Sequence, residues 1–163
     1  MHQIVLHLGS NMGYRNANRQ RAPHLITEAT GAECVTSAIY ETSAWGLENQ
    51  RDFLNQALLV ETTLSAQEAL ELALNIESQL GRQRKQKWGE RLIDIDLIFF
   101  DQLVVQQPRL TLPHPWMQQR RFVLYPLAEI IPQWHHPVLQ QSVIALLHHC
   151  TDEGQVKRVS GWN

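Results

Sequence analysis

The sequence predicts an α+β fold in which an antiparallel sheet carries helices packed against it, and three observations lead there. Short, strand-favouring segments recur at residues 4–8, 35–42, 53–62 and 92–100. Between them lie stretches with the three-and-four spacing of a helical face, at about residues 25–29 and 66–80. The chain has 163 residues with 44% hydrophobic and 18% charged residues, and no Pro-, Gly- or Ser-rich linker divides it. One domain spanning residues 1–163 is therefore expected.

Ile4-Val5-Leu6-His7-Leu8 reads as a buried strand, closed by a turn at Gly9-Ser10-Asn11. Leu25, Ile26 and Ala29 mark a helix that Pro23 should start or kink. Residues 35–42 form one alternating strand and residues 53–62 another, with a loop holding Trp45 and Gly46 between them. Ser65-Ala66-Gln67-Glu68 has the form in which a hydroxyl and a carboxylate cap a helix start reciprocally. Ala69, Leu72, Ala73, Ile76 and Leu80 then supply its buried face, and Gly81 is placed as its left-handed stop. Residues 92–100 are apolar except for two aspartates, the pattern of a central strand, and turn at Asp101-Gln102. Pro-rich turns, a helix at residues 138–149 and an irregular tail follow. The order of the first hundred residues, strand-helix-strand-strand-helix-strand, is the ferredoxin-like βαββαβ arrangement, and C-terminal additions would complete a three-layer α/β/α body.

Fourteen Lys+Arg against sixteen Asp+Glu give a net charge of −2, so the chain as a whole is not a polycation for nucleic acid. Cys34 and Cys150 have no CxxC spacing and suit a reducing compartment. No basic leader and no run of about eighteen apolar residues is present, so a cytoplasmic protein without a membrane span is expected.

The sharpest chemical feature is Ile93-Asp94-Ile95-Asp96-Leu97. Strand side chains alternate, so Asp94 and Asp96 point the same way, about 7 Å apart, while the three apolar residues enter the opposite face. Two carboxylates in an apolar strand stay ionised only if strong positive charge comes between them. Magnesium supplies it, because it accepts one or two protein carboxylates and completes its octahedron with water and substrate phosphate. A buried ion-pair network with arginines is the structural alternative. Five cations fall within residues 82–91, beside the aspartates, where a metal-bound polyphosphate would lie and where flanking glycines would let a lid move. Pro113-His114-Pro115 fixes an imidazole in a turn ahead of Arg120 and Phe122. Phe53 and Asn55 share a strand face, an aromatic platform beside an amide, which suits a flat heterocycle. The His135-His136 and His148-His149 pairs lack metal-ligand spacing.

In order, Gly9-Ser10-Asn11, Tyr40-Glu41-Thr42, Phe53-Leu54-Asn55, Ile76-Glu77, Gly81-Arg82-x-Arg84, Trp88-Gly89-x-Arg91-x-Ile93-Asp94-Ile95-Asp96, Pro113-His114-Pro115 and Arg120-x-Phe122-Val123-Leu124 closely resemble the 6-hydroxymethyl-7,8-dihydropterin pyrophosphokinase family of folate biosynthesis. The resemblance implies transfer of pyrophosphate from ATP to the hydroxymethyl oxygen of the pterin, with release of AMP. It implies that Asp94 and Asp96 hold two magnesium ions and that Arg82 and Arg91 neutralise the migrating group. By the same resemblance Glu77, Arg84, Ile98, Arg109, Thr111, His114 and Arg120 fall on the ATP side. Thr42, Phe53, Asn55, Trp88 and Phe122 fall on the pterin side. Small-molecule substrates are implied, with no nucleic acid, membrane or obligate protein partner. Glu90, in place of a common proline, a basic loop about one residue short, Ser43-Ala44-Trp45, and Phe53 in place of a common tyrosine depart from the family pattern. No general base stands out. Two rivals remain open at this point, a metal-dependent nucleotidyltransferase on the same sheet and an RNA-binding module.

Overall fold

Strand alternation divides the apolar side chains between two cores, and that division organises the molecule. A computed structural model describes residues 1–11, 17–42, 53–81 and 93–159. The first core lies under α1 (Ala17–Thr30) and α2 (Ala66–Gly81), where Ile4, Leu6 and Leu8 meet Ile26, Ile76, Ile93 and Ile95. On the other face, α3 (Arg121–Ile130) and α4 (Val143–His149) cover Val5, Ala57 and Phe99 with Leu124, Leu127 and Leu146. Between the layers stands a sheet built around β1 (His2–Asn11) and β4 (Phe53–Thr62), which pair antiparallel over their whole lengths.

β5 (Ile93–Phe100) lies on the far side of β1, and β2 (Val35–Thr36) and β3 (Tyr40–Thr42) lie beside β4. Sheet order is β5-β1-β4-β3-β8, where β8 (Val156–Arg158) extends the edge beside β3, and a separate hairpin joins β6 (Val105–Gln107) to β7 (Leu110–Leu112). This is the ferredoxin-like α+β fold in three layers, each helix of the βαββαβ unit crossing over one intervening antiparallel strand. Among the described residues no helix is long and apolar enough to cross a membrane.

Several local expectations need correction. Gly9-Ser10-Asn11 is not a turn; it continues β1, because β4 supplies partners down to Phe53. The segment 35–42 breaks into two strands: the three residues between Thr36 and Tyr40 face the two between Leu58 and Asn55, a bulge at which Ser37 Oγ accepts the Ala57 N–H at 2.9 Å. Among the described residues β5 stands at the edge of the sheet and not at its centre; apart from Asp94 and Asp96 its side chains are apolar because helices cover both faces. A second bulge leaves Ile98 without a β1 partner between Leu97 and Phe99, so Ile98 and Phe99 enter the same core. The left-handed stop stands at Gly31, with φ of 72°, where its N–H closes α1 on Thr27; Gly81 has no such φ. Pro23 lies inside α1.

The capping box of α2 forms as its sequence predicts: the Ser65 N–H donates to Glu68 Oε2 at 2.7 Å, and the Glu68 N–H to Ser65 Oγ at 3.2 Å. α4 starts at Val143, later than the expected 138, because Ser142 Oγ accepts the Ala145 N–H and caps it there. The stretch before it is a turn in which His136 Nδ1 accepts the N–H groups of Val138 and Leu139. α3 and β8, which sequence patterning passed over, both stand beside the site.

Candidate active site

The sheet register carries side chains from three strands onto one floor. Gly9 on β1 pairs with Asp94 of β5 on one side and with Asn55 of β4 on the other. One step along, His7 pairs with Asp96 and with Ala57. All four polar residues face the α3 layer, since their neighbours Leu6, Leu8, Ile93 and Ile95 fill the opposite core. With strands about 4.8 Å apart, the aspartates and Asn55 stand about 10 Å from each other across the glycine. Above this floor is a cavity of about 790 Å³, bounded by His7, Gly9, Asp94, Asp96, Asn55 and Thr42, by Phe53, Gln119, Arg120 and Phe122, and by Thr151, Asp152, Gly154, Gln155 and Val156 of the C-terminal segment. That volume lies in the upper part of the range of small-molecule sites.

Its two ends differ in chemistry. At the acidic end Asp94 and Asp96 are half-buried and share a face, as their spacing requires. Among the described residues no group of three or more His, Cys, Asp and Glu gathers as a metal cage. Two hard carboxylate oxygens beside an open cavity fit magnesium, which takes its remaining ligands from water and phosphate; they do not make a closed zinc or calcium site. His114 sits within electrostatic reach: burial lowers its pKa, Asp96 pulls it up and Arg120 pushes it down. Its Nδ1 accepts the Trp116 N–H at 3.3 Å, and its own N–H donates to the Ile98 carbonyl at 3.0 Å, after a cis Leu112–Pro113 bond.

At the other end the surface suits a flat ring. Phe53 is 37% exposed and lines the cavity. Phe122, at the start of α3, lines the same cavity, with the Arg120 guanidinium 5.9 Å from its ring centroid. Asn55 is buried, and its amide nitrogen donates to the Tyr40 carbonyl at 3.3 Å and to Thr42 Oγ1 at 3.1 Å. Both amide hydrogens are thus committed, which fixes the side chain and leaves Oδ1 over Gly9.

The other expected site residues are distributed around this cavity. Glu77 does not line it; from α2 its Oε1 accepts the Ile95 N–H at 2.6 Å, between the two aspartates. Ile98 is buried in the core. Arg109 and Thr111 are exposed on the β6–β7 hairpin and do not border the cavity. Arg82, Arg84, Trp88 and Arg91, with the rest of the basic segment, lie outside the described residues, as does the loop at 43–52.

Two contributors escaped sequence reasoning. The C-terminal segment 151–156 forms a wall because β8 pairs with β3 and because Asp152 accepts the Arg121 N–H at 3.0 Å and the Gly154 N–H at 2.8 Å. Nothing in its polar, irregular composition signals this. His7 is the second, and it did carry a signal, a lone polar side chain in an apolar strand. It is 3% exposed, and burial lowers its pKa to about 4 against the opposing pull of a backbone hydrogen bond at Phe122 and of the Asn55 side chain. The imidazole is neutral at ordinary pH.

Comparison with known proteins identifies the family of the chain. A family model described as 7,8-dihydro-6-hydroxymethylpterin-pyrophosphokinase (HPPK) matches residues 5–132. The chain is 39% identical over 143 residues to the 2-amino-4-hydroxy-6-hydroxymethyldihydropteridine pyrophosphokinase of Aquifex aeolicus, covering 88% of this chain and 89% of that one. It is 42% identical over 127 residues to the enzyme of the same name from Bacillus subtilis, covering 77% and 76%. Among solved structures, Plasmodium falciparum HPPK-DHPS superposes with a TM-score of 0.73 at 17% identity, over 90% of this chain. The chain spans only 44% of that longer protein, and the likeness bears on the fold.

Proposed function

The chain belongs to the 7,8-dihydro-6-hydroxymethylpterin-pyrophosphokinase family, and from that premise we propose how its residues divide the reaction between them. The enzyme transfers a pyrophosphoryl group from ATP to the hydroxymethyl group of 6-hydroxymethyl-7,8-dihydropterin, a step of folate biosynthesis. Residues 1–163 act as one pterin pyrophosphokinase domain. The observation that carries the residue assignment is the convergence of Asp94 and Asp96 with Asn55, Phe53 and Phe122 on one cavity, across a glycine.

Asp94 and Asp96 hold magnesium, two ions in our reading. When bound there, magnesium would neutralise charge on the triphosphate and make AMP a better leaving group. Thr42 and Asn55 fix the edge of the pterin, and Phe53, Trp88 and Phe122 hold its faces. The hydroxymethyl oxygen then points toward the aspartates and the β-phosphorus. Holding two reactants in line replaces a bimolecular encounter with an oriented one, and such transfer needs little covalent chemistry from the protein. Arg82 and Arg91, from their place in the sequence next to β5, neutralise the migrating group. Arg84, Arg109, Thr111, His114 and Arg120 serve the nucleotide, with Glu77 and Ile98 on the same side. The substrates are small molecules, and a cytoplasmic setting fits the two free cysteines.

The test is a reconstitution. Protein, magnesium, ATP and hydroxymethyldihydropterin are combined, and free AMP should form only when all are present, in step with pterin diphosphate. Adenylate found attached to the pterin, with pyrophosphate released, would instead make the protein a nucleotidyltransferase.

A further inference from the structure

His7 sits at the middle of the floor, between Asp96 on one side and Ala57 on the other, with Gly9 and Asn55 next along the strands. Its ring borders the cavity, and the Phe122 ring stands 5.9 Å from it at an angle of 56°. The side chain is almost fully buried, yet Nε2 finds no hydrogen-bond partner among the described residues. A buried polar atom left unpaired is destabilising, so an orphan of this kind in a native cavity wall calls for a reason. An apolar residue would fill the same strand position without that cost, as Val5 does two residues earlier.

The location supplies the reason. In the reading of the reaction given above, the floor beneath Phe122 and beside Asn55 is where the acceptor heterocycle lies, and a pterin carries hydrogen-bonding atoms around its whole edge. We propose that His7 is a specificity-determining residue of the acceptor site, and that the bound pterin supplies the hydrogen bond that Nε2 lacks among the described residues. Imidazole χ2 is broad, so a small rotation beneath Phe122 brings a ring nitrogen to the ligand at little cost. The orphan is then a cost carried by the free protein and relieved on binding, which raises the discrimination between a pterin and an apolar ring of the same size.

The assignment rests on the proposed acceptor site, and the experiment separates the two. Pterin affinity is measured by calorimetry with magnesium and a non-hydrolysable ATP analogue present, for the wild type, His7→Leu and His7→Gln. His7→Leu should bind the pterin about five- to tenfold more weakly, leave the affinity for the ATP analogue unchanged, and melt no lower than the wild type. His7→Gln, which places an amide nitrogen near the position of Nε2, should restore part of the loss. In the wild type, the His7 ring nitrogen resonance should move on addition of pterin and not of the ATP analogue alone; this readout stands even if His7→Leu does not fold. Pterin affinities within twofold of the wild type, or a ring resonance that stays still, would show that the partner of Nε2 is internal and overturn the assignment alone. A wild type that binds no pterin would overturn the acceptor site itself.

Discussion

Glu77 is joined to Ile95: its carboxylate oxygen accepts the Ile95 N–H at 2.6 Å, at the residue between the two site aspartates. Among the described residues β5 stands at the edge of the sheet, and an edge strand carries N–H groups that its sheet does not use. Helix α2 fills this need with a side chain, and so ties the strand that presents Asp94 and Asp96 to the helix layer behind it.

Removing that carboxylate leaves a backbone donor at the sheet edge without its acceptor. Glu77→Ala should lower unfolding stability by about 1–3 kcal/mol, while Glu77→Gln, which retains an acceptor oxygen, should lose less. Urea denaturation of the two variants measures this. The magnesium concentration for half-maximal activity should rise more in the alanine variant, because its aspartates are held less firmly.

Asp94→Ala and Asp96→Ala should each reduce turnover by about two to three orders of magnitude, the scale of losing one preorganised charge-stabilising element. Circular dichroism should stay native. Chelation of magnesium in the wild type should abolish AMP release to the same baseline. Either variant turning over near the wild-type rate would remove the carboxylate from the metal site.

Gly9 keeps the floor open between the acidic and aromatic ends. A Cβ built there meets nothing nearer than His7 Cε1 at 3.8 Å and Asn55 Oδ1 at 3.9 Å, so Gly9→Ala should fold normally. Gly9→Val adds an isopropyl group in the space the pterin would occupy, and steric loss in such a pocket is worth about 1–3 kcal/mol. Its KM for the pterin should rise about tenfold or more, with the KM for ATP little changed. Equal shifts in both constants would place the pterin elsewhere.

His136 makes stability depend on pH. It is 5% exposed, burial lowers its pKa from 6.5, and Nδ1 accepts two backbone N–H groups, so the folded protein keeps it neutral. The unfolded chain takes up a proton near pH 6.5 and the folded chain only at lower pH. This contribution is therefore fully present above pH 6.5 and is lost as pH falls from there through the folded value. His136→Asn keeps an acceptor oxygen but cannot titrate. Its urea midpoint should fall less between pH 7.5 and pH 5 than that of the wild type, a difference that cancels the carboxylates common to both.

Much of the site was legible because its residues break local rules. Asp94 and Asp96 interrupt an apolar strand, and period two alone puts them on one face opposite Ile93, Ile95 and Leu97. Ser65 and Glu68 announce a helix start with their own side chains, and that cap forms. α3 was not legible, because Pro126 inside it reads as a turn, and its N-terminal N–H is capped by Asp152, 31 residues away, where no local motif can form. The strand 35–42 was overextended, since the bulge at Ser37 is imposed by β4 and not by the segment itself.

The sequence by itself determined the strand-helix-strand-strand-helix-strand order of the first hundred residues, in outline, and the shared direction of the aspartates, since each follows from backbone periodicity over a few residues. Tertiary pairing alone decided that Gly9 stands between Asp94 and Asn55, that His7 lies beneath Phe122, and that residues 151–156 wall the cavity. Register between strands separated by forty or more residues is set by which apolar faces bury together, and no local pattern holds that information.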